Sequence, residues 1–186
     1  PFDRCAEYLV DGSGFFNGMH HTNPDQHMWL NQGTFGNVPE EEFDLNPEIV
    51  FDLGEEQPVD YVKVWNYNEF LPNRPELAGR GVHLMDVYIA GEDEVFMLLA
   101  GDVELDLAPQ LADVDFGQIV PLGGANARYI KFDNLRNFPA DGGFPGGDNN
   151  FVGLSEVQFY AVPEPATGLL LVLGGLTVLI ARRRRR

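Results

Sequence analysis

Where an apolar stretch ends, Trp65-Asn66-Tyr67-Asn68-Glu69-Phe70 sets aromatic rings beside amides and a carboxylate, the side-chain set that sugar recognition uses. Ring faces stack on the apolar faces of a pyranose, while amides and carboxylates take its hydroxyls. Trp65, Asn66 and Asn68 are therefore candidate ligand residues, with Asp148 and Asn149, followed by Asn150, as a second polar group. The competing reading gives Trp65, like Trp29, to core or rim packing, since large aromatics carry much of a sandwich core. His20, His21 and His27 fall within eight residues. Adjacent imidazoles on a strand point to opposite faces, and no i, i+4 histidine pair or cysteine partner accompanies them, so a polar loop is favoured over a transition-metal site.

Signatures of catalysis are missing. The chain has no Gly-x-Ser-x-Gly elbow, phosphate loop or His-Glu-x-x-His run, and Cys5, the single cysteine, lacks the local context of a thiol nucleophile. It also has no partner for an internal disulfide. Plentiful Asp and Glu leave paired carboxylates for glycoside hydrolysis open, but nothing in the sequence sets two of them across a cleft. A binding protein rather than an enzyme is expected.

Charge narrows the partners. Lys and Arg number 12 against 29 Asp and Glu, and five of the arginines are the last five residues. Residues 1–162 thus hold 7 cations and 28 acids, a net −21. Nucleic-acid binding is excluded, because it depends on cations that displace the counterions of phosphates. Glu40-Glu41-Glu42 with Asp44 reads as a solvated acidic loop. The chain opens on Pro1 rather than Met, so an upstream segment is expected.

The elements that must position these residues read as strands. Period-two alternation in Arg128-Tyr129-Ile130-Lys131-Phe132-Asp133 buries Ile130 and Phe132 on one side. The same pattern marks strands over Val59 to Trp65, Val82 to Ile89, Glu94 to Leu99, Asp113 to Val120 and Phe151 to Tyr160, with a short one at Ile49-Val50-Phe51. Asp113 and Asp115 fall on the outer face of their strand. Turn chemistry separates the runs at Asn46-Pro47, Leu53-Gly54, Asn73-Arg74-Pro75, Ala90 to Asp93, Gly123-Gly124 and Pro139 to Asn150. Short strands with such turns and no convincing amphipathic helix predict an all-β chain, a β-sandwich or jelly roll over residues 1–162.

The last segment differs in kind. After Pro163-Glu164-Pro165 come 16 apolar residues, Ala166 to Ala181, and then Arg182, Arg183, Arg184, Arg185 and Arg186. As a helix this run spans about 24 Å, a little short of a bilayer's core, and arginine stems snorkel to cover the difference. Apolar residues on every face predict a single transmembrane helix over 166–181 rather than a core helix. Positive-inside orientation keeps the arginines cytoplasmic and exports everything before Pro163. The combination resembles the PEP-CTERM sorting signal of Gram-negative bacteria over residues 163–186. That resemblance implies processing by an exosortase, a membrane-anchored precursor, and a final place at the cell surface or in the extracellular matrix. A plain tail anchor is the bland alternative.

Several segments also fall into a known order. Leu9-Val10-Asp11-Gly12-Ser13-Gly14, Phe51-Asp52-Leu53-Gly54, Val59 to Asn66, Val87 to Asp93, Ala127 to Phe132 and Gly153-Leu154-Ser155-Glu156-Val157-Gln158-Phe159-Tyr160 resemble the coagulation factor 5/8 type C, or discoidin, domain of the galactose-binding-like superfamily. The resemblance implies a jelly-roll fold and a structural calcium ion where the first Asp-Gly loop meets the last strand. The matching positions are Asp11 by its carboxylate, Ser13 or Gly14 by hydroxyl or carbonyl, and Glu156 by its carboxylate. Such hard oxygen donors suit calcium. The family's Thr-Trp arrives late here, at Thr22 and Trp29, after an inserted Phe15 to His21 stretch. By alternation Glu156 and Gln158 face away from Val157 and Phe159, so Glu156 need not be buried. The functional expectation is an exported, non-catalytic module for glycan or extracellular polysaccharide. A structural or adhesive matrix protein is the alternative, and a polysaccharide hydrolase the third.

Overall fold

A computed structural model describes residues 4–16, 19–20, 22–23, 25–31, 44, 46–139 and 151–163. The first 3-10 turn, Ala6–Leu9, is followed by two short strands, β1 (Phe15–Phe16) and β2 (Met19–His20), which pair with each other. Six further strands, β3 (Trp29–Leu30), β4 (Ile49–Asn66), β5 (Val82–Ala90), β6 (Met97–Glu104), β7 (Gln118–Asn137) and β8 (Gly153–Ala161), form one antiparallel sheet in the order β3-β8-β4-β7-β5-β6. A second 3-10 turn, Pro75–Arg80, leads into β5.

Two long strands do the work of four. β4 joins the expected short strand at Ile49 to the one at Val59, and the turn expected at Leu53-Gly54 is an irregularity inside it. Gly54 takes φ 86°, a backbone position that costs glycine nothing, so the strand bulges and continues. β7 likewise absorbs the turn expected at Gly123-Gly124, where φ is 67° and 73°. The strand expected from Asp113 begins only at Gln118, and that expected from Glu94 runs instead from Met97 to Glu104.

The two long strands pair with each other on both sides of these irregularities, Ile49 to Asp52 with Tyr129 to Phe132 and Gln57 to Val64 with Gln118 to Ala127. Their outer neighbours differ: β5 joins β7 from Tyr129 to Asn137, and β8 joins β4 from Val59 to Asn66. Phe51 of the first part meets Phe159 of β8 at 5.0 Å between ring centroids and Phe132 of β7 at 5.2 Å. The two halves of the sheet therefore close on a single core of Val59, Val62, Val64, Val87, Ile130, Phe132, Leu154 and Val157. A satellite cluster of Met28, Leu30, Tyr67 and Phe151 lies at one end. No helix among the described residues is long and apolar enough to cross a membrane, and the span expected at 166–181 lies outside them, as do Arg182 to Arg186.

Candidate functional site

Alternation along β4 puts Val62 and Val64 in the core and Tyr61, Lys63 and Trp65 on the opposite face of the sheet. Register sets Trp65 opposite Glu156 of β8, so both leave the core on the same outer side. That side is covered there. Phe15 stands edge-on to Trp65 at 5.1 Å, and the Asp11-Gly12 loop reaches Glu156, whose carboxylate accepts the Gly12 N–H. Alternation alone does not require Glu156 to be buried, yet it is only 1% exposed, because the N-terminal loop supplies the cover.

The result is an unusual pair. Burial, and next to it the Asp11 carboxylate, push the Glu156 carboxyl up to about 8. Its Oε2 has no hydrogen-bond partner, and neither carboxylate enters an ion pair among the described residues. The Asp11 Oδ1 accepts the Ser13 N–H at 2.8 Å, and Gly12 at φ 74° makes the turn that presents the loop. Ser13 is half-buried and Gly14 buried beside them. Two acids with an unfilled oxygen and no cation of the chain between them are a donor set for a hard cation. No group of three or more His, Cys, Asp or Glu gathers in metal-holding geometry among the described residues.

The expected sugar platform is corrected. Trp65 is 4% exposed; its indole N–H donates to Asp115 at 3.0 Å, the Lys63 ammonium sits 4.6 Å from its ring centroid, and Gly117 packs on its edge. Asp115 also holds Lys63 at 2.6 Å, a capping role and not the outer strand face expected of it. Asn66 is a latch: its amide donates to the carbonyls of Val82 at 2.6 Å and Asp106 at 2.9 Å and accepts the Tyr67 N–H. Asn68, fully buried, donates to the Leu111 carbonyl at 2.9 Å. These three residues anchor the loops of this end and present nothing to a ligand. Asp148 and Asn149 lie outside the described residues, with His21 and Glu40 to Glu42.

What the end does present follows directly after the latch. Glu69 is buried between two arginines: Arg80 donates to its Oε2 at 3.3 Å, Arg4 approaches Oε1 at 3.6 Å, and the Tyr67 hydroxyl donates to Oε2 at 2.8 Å. Arg4 also donates to the Tyr67 hydroxyl at 2.8 Å and to Asp25 at 3.2 Å, while Arg80 lies over the Phe151 ring. Burial and the Glu69 charge hold the Tyr67 hydroxyl protonated well above its usual range. On this rigid base the next residue, Phe70, stands 49% exposed beside Leu71, its N–H donating to the Thr22 carbonyl. Within the segment that the sequence singles out, Trp65 is buried under Phe15 and Phe70 is the exposed ring, a distinction that alternation alone does not make.

The geometry has known relatives. Residues 161–186 match the model of the PEP-CTERM protein-sorting motif, so the sorting signal is present. No curated protein matches the chain. Among solved structures, the domain is similar to a GH31 CBM32-2 module bound to GalNAc (14% identity, 86% of this chain and 89% of that one, TM-score 0.56). It is similar also to the CBM32-5 module of a Clostridium perfringens GH89 protein, in complex with GalNAc-β-1,3-galactose (11% identity, 87% and 86%, TM-score 0.55). A third neighbour is a pectin-binding carbohydrate-binding module (13% identity, 85% and 81%, TM-score 0.51). The described domain therefore has the jelly-roll fold of these solved modules, and the chain carries a PEP-CTERM sorting motif over residues 161–186.

Proposed function

We propose that the domain is a non-catalytic glycan-binding module, exported and passed through an exosortase-type enzyme by way of its C-terminal segment. The observation that carries the sugar reading is Phe70: a half-exposed ring that directly follows Glu69, which Arg80 and Arg4 hold, Arg4 being paired in turn with Asp25. An open ring beside a charged fork is what a pyranose needs. The solved neighbours include modules with bound galactosamine sugars on the same fold, which supports the class of ligand. Phe70→Ala should abolish saturable binding on a glycan array while leaving the melting temperature unchanged; binding that survives this change would remove the site.

The Asp11–Glu156 pair is proposed to hold a structural calcium ion, with Ser13 and Gly14 adding hydroxyl or carbonyl oxygens. Calcium would neutralise two acids that the fold forces together and tie the N-terminal loop to β8. A second reading, an adhesive matrix protein, is favoured by β6, an edge strand with Met97 and Leu98 more than half exposed. A blank array together with calcium-dependent self-association would select it. Turnover of a polysaccharide panel would instead reveal a hydrolase.

A further inference from the structure

The 7 cations of residues 1–162 all lie in described segments, and every one is already paired with a carboxylate of this chain. At the loop end Arg4 holds Asp25 and Glu69, Arg80 holds Glu69, and Arg74 holds Glu76. Elsewhere Lys63 holds Asp115, Arg128 holds Asp52 and Glu92, Lys131 holds Glu48 and Asp133, and Arg136 holds Asp102. No cation of residues 1–162 is left without a carboxylate of the chain, inside a domain of net −21.

We infer that the loop end around Phe70, read as the glycan site above, selects neutral sugars and turns away polyuronates and other polyanionic glycans. A uronate or sulfate group needs a cation to offset its desolvation. Here an incoming carboxylate can only exchange places with one of the protein's own, which gains no neutralisation. It must also approach through the field of the unbalanced acids, which acts over roughly 10 Å at 0.1 M salt. A neutral pyranose meets neither obstacle. Its apolar face lies on Phe70, and no ion pair has to break.

The test uses the full chain in detergent micelles on an array that sets neutral oligosaccharides beside their uronate- and sulfate-bearing counterparts. Expected is saturable binding to neutral members, at least tenfold tighter than to the acidic counterparts. Glu76→Gln, which releases Arg74 four residues along the chain from Phe70, should tighten acidic-sugar binding about tenfold and leave neutral binding within twofold, and added salt should reverse that gain. Equal binding of neutral and acidic members by the unaltered chain overturns the selectivity and leaves the glycan reading standing. An array blank in every position, including with Glu76→Gln, overturns both.

Discussion

Glu156 is the residue at which packing and charge most plainly conflict. Its carboxyl titrates near 8 in the folded protein and near 4.3 in an unfolded chain. Between those values the folded state holds a proton that the unfolded state has lost, so stability is complete below about pH 4 and falls as pH rises toward 8. At about 1.4 kcal/mol per unit of separation, the loss is on the order of a few kcal/mol. In chelator, calorimetry should find a lower melting temperature at pH 8.5 than at pH 5.5, and Glu156→Gln should flatten that slope. The carboxylates that titrate low, Asp115 held by Lys63 and Asp133 held by Lys131, change only below about pH 4 and do not confuse the comparison. Calcium added at pH 8 should restore the loss for Glu156 and not for Gln; an ion 100-fold above its dissociation constant adds about 2.7 kcal/mol. Equal responses of both proteins would dismiss the metal.

Asn66 and Phe70, four residues apart, test different things. Asn66→Ala strands the buried Val82 carbonyl and Tyr67 N–H and the half-buried Asp106 carbonyl, which costs roughly 2–4 kcal/mol by urea titration. A loss below about 0.5 kcal/mol would mean that water replaces the amide and that the latch is not structural.

At the scale of elements, β8 is held where its first residue leaves no room. A methyl group on Gly153 would lie 2.7 Å from the Trp29 carbonyl oxygen and 2.7 Å from Cδ2 of Tyr67, one of them main chain and the other a fully buried ring. Neither yields without moving β3 or the satellite cluster. Gly153→Ala should therefore destabilise by about 2–3 kcal/mol, whereas Gly101→Ala on β6, whose nearest atom would be 3.5 Å away, should cost under about 1 kcal/mol. Similar losses at both would show that glycine's backbone freedom, and not crowding, decides.

Strands were readable where one face is buried and the other wet. Ile130 and Phe132 against Lys131 and Asp133 give the period of β7 outright, and β5 follows the same rule. Gly54 and Gly123-Gly124 misled because a glycine at positive φ serves a turn and a bulge equally, and only the partner strand distinguishes them. Asp113 to Phe116 alternates like a strand yet lies outside one, since Asp115 is drawn to Lys63 and Trp65 instead. In the candidate site, the carboxylates Asp11 and Glu156 were legible through their order along the chain. The burial of Glu156 was not, because its roof comes from the far end of the sequence.

Over the whole molecule, 28 acids meet 7 cations across residues 1–162, and every cation is spent on a local pair. Salt acts on both sets of interactions and in opposite directions. The paired groups mostly stand 2.6–3.6 Å apart, well inside a Debye length, and exposed pairs contribute under about 1 kcal/mol each, so screening them removes little. The unpaired acids are spread over the surface, at separations where raising sodium chloride from 10 to 150 mM cuts the Debye length from about 30 to about 8 Å and silences most of their repulsion. Repulsion should win. The melting temperature should rise by roughly 3–6 °C over that interval, equivalent to about 1–2 kcal/mol for a domain of this size. Choline chloride should act as well as sodium chloride, which separates screening from specific cation binding at Asp11 and Glu156. A melting temperature that falls with salt would mean that the pairs of the seven cations, and not the excess acids, dominate the electrostatics of the fold.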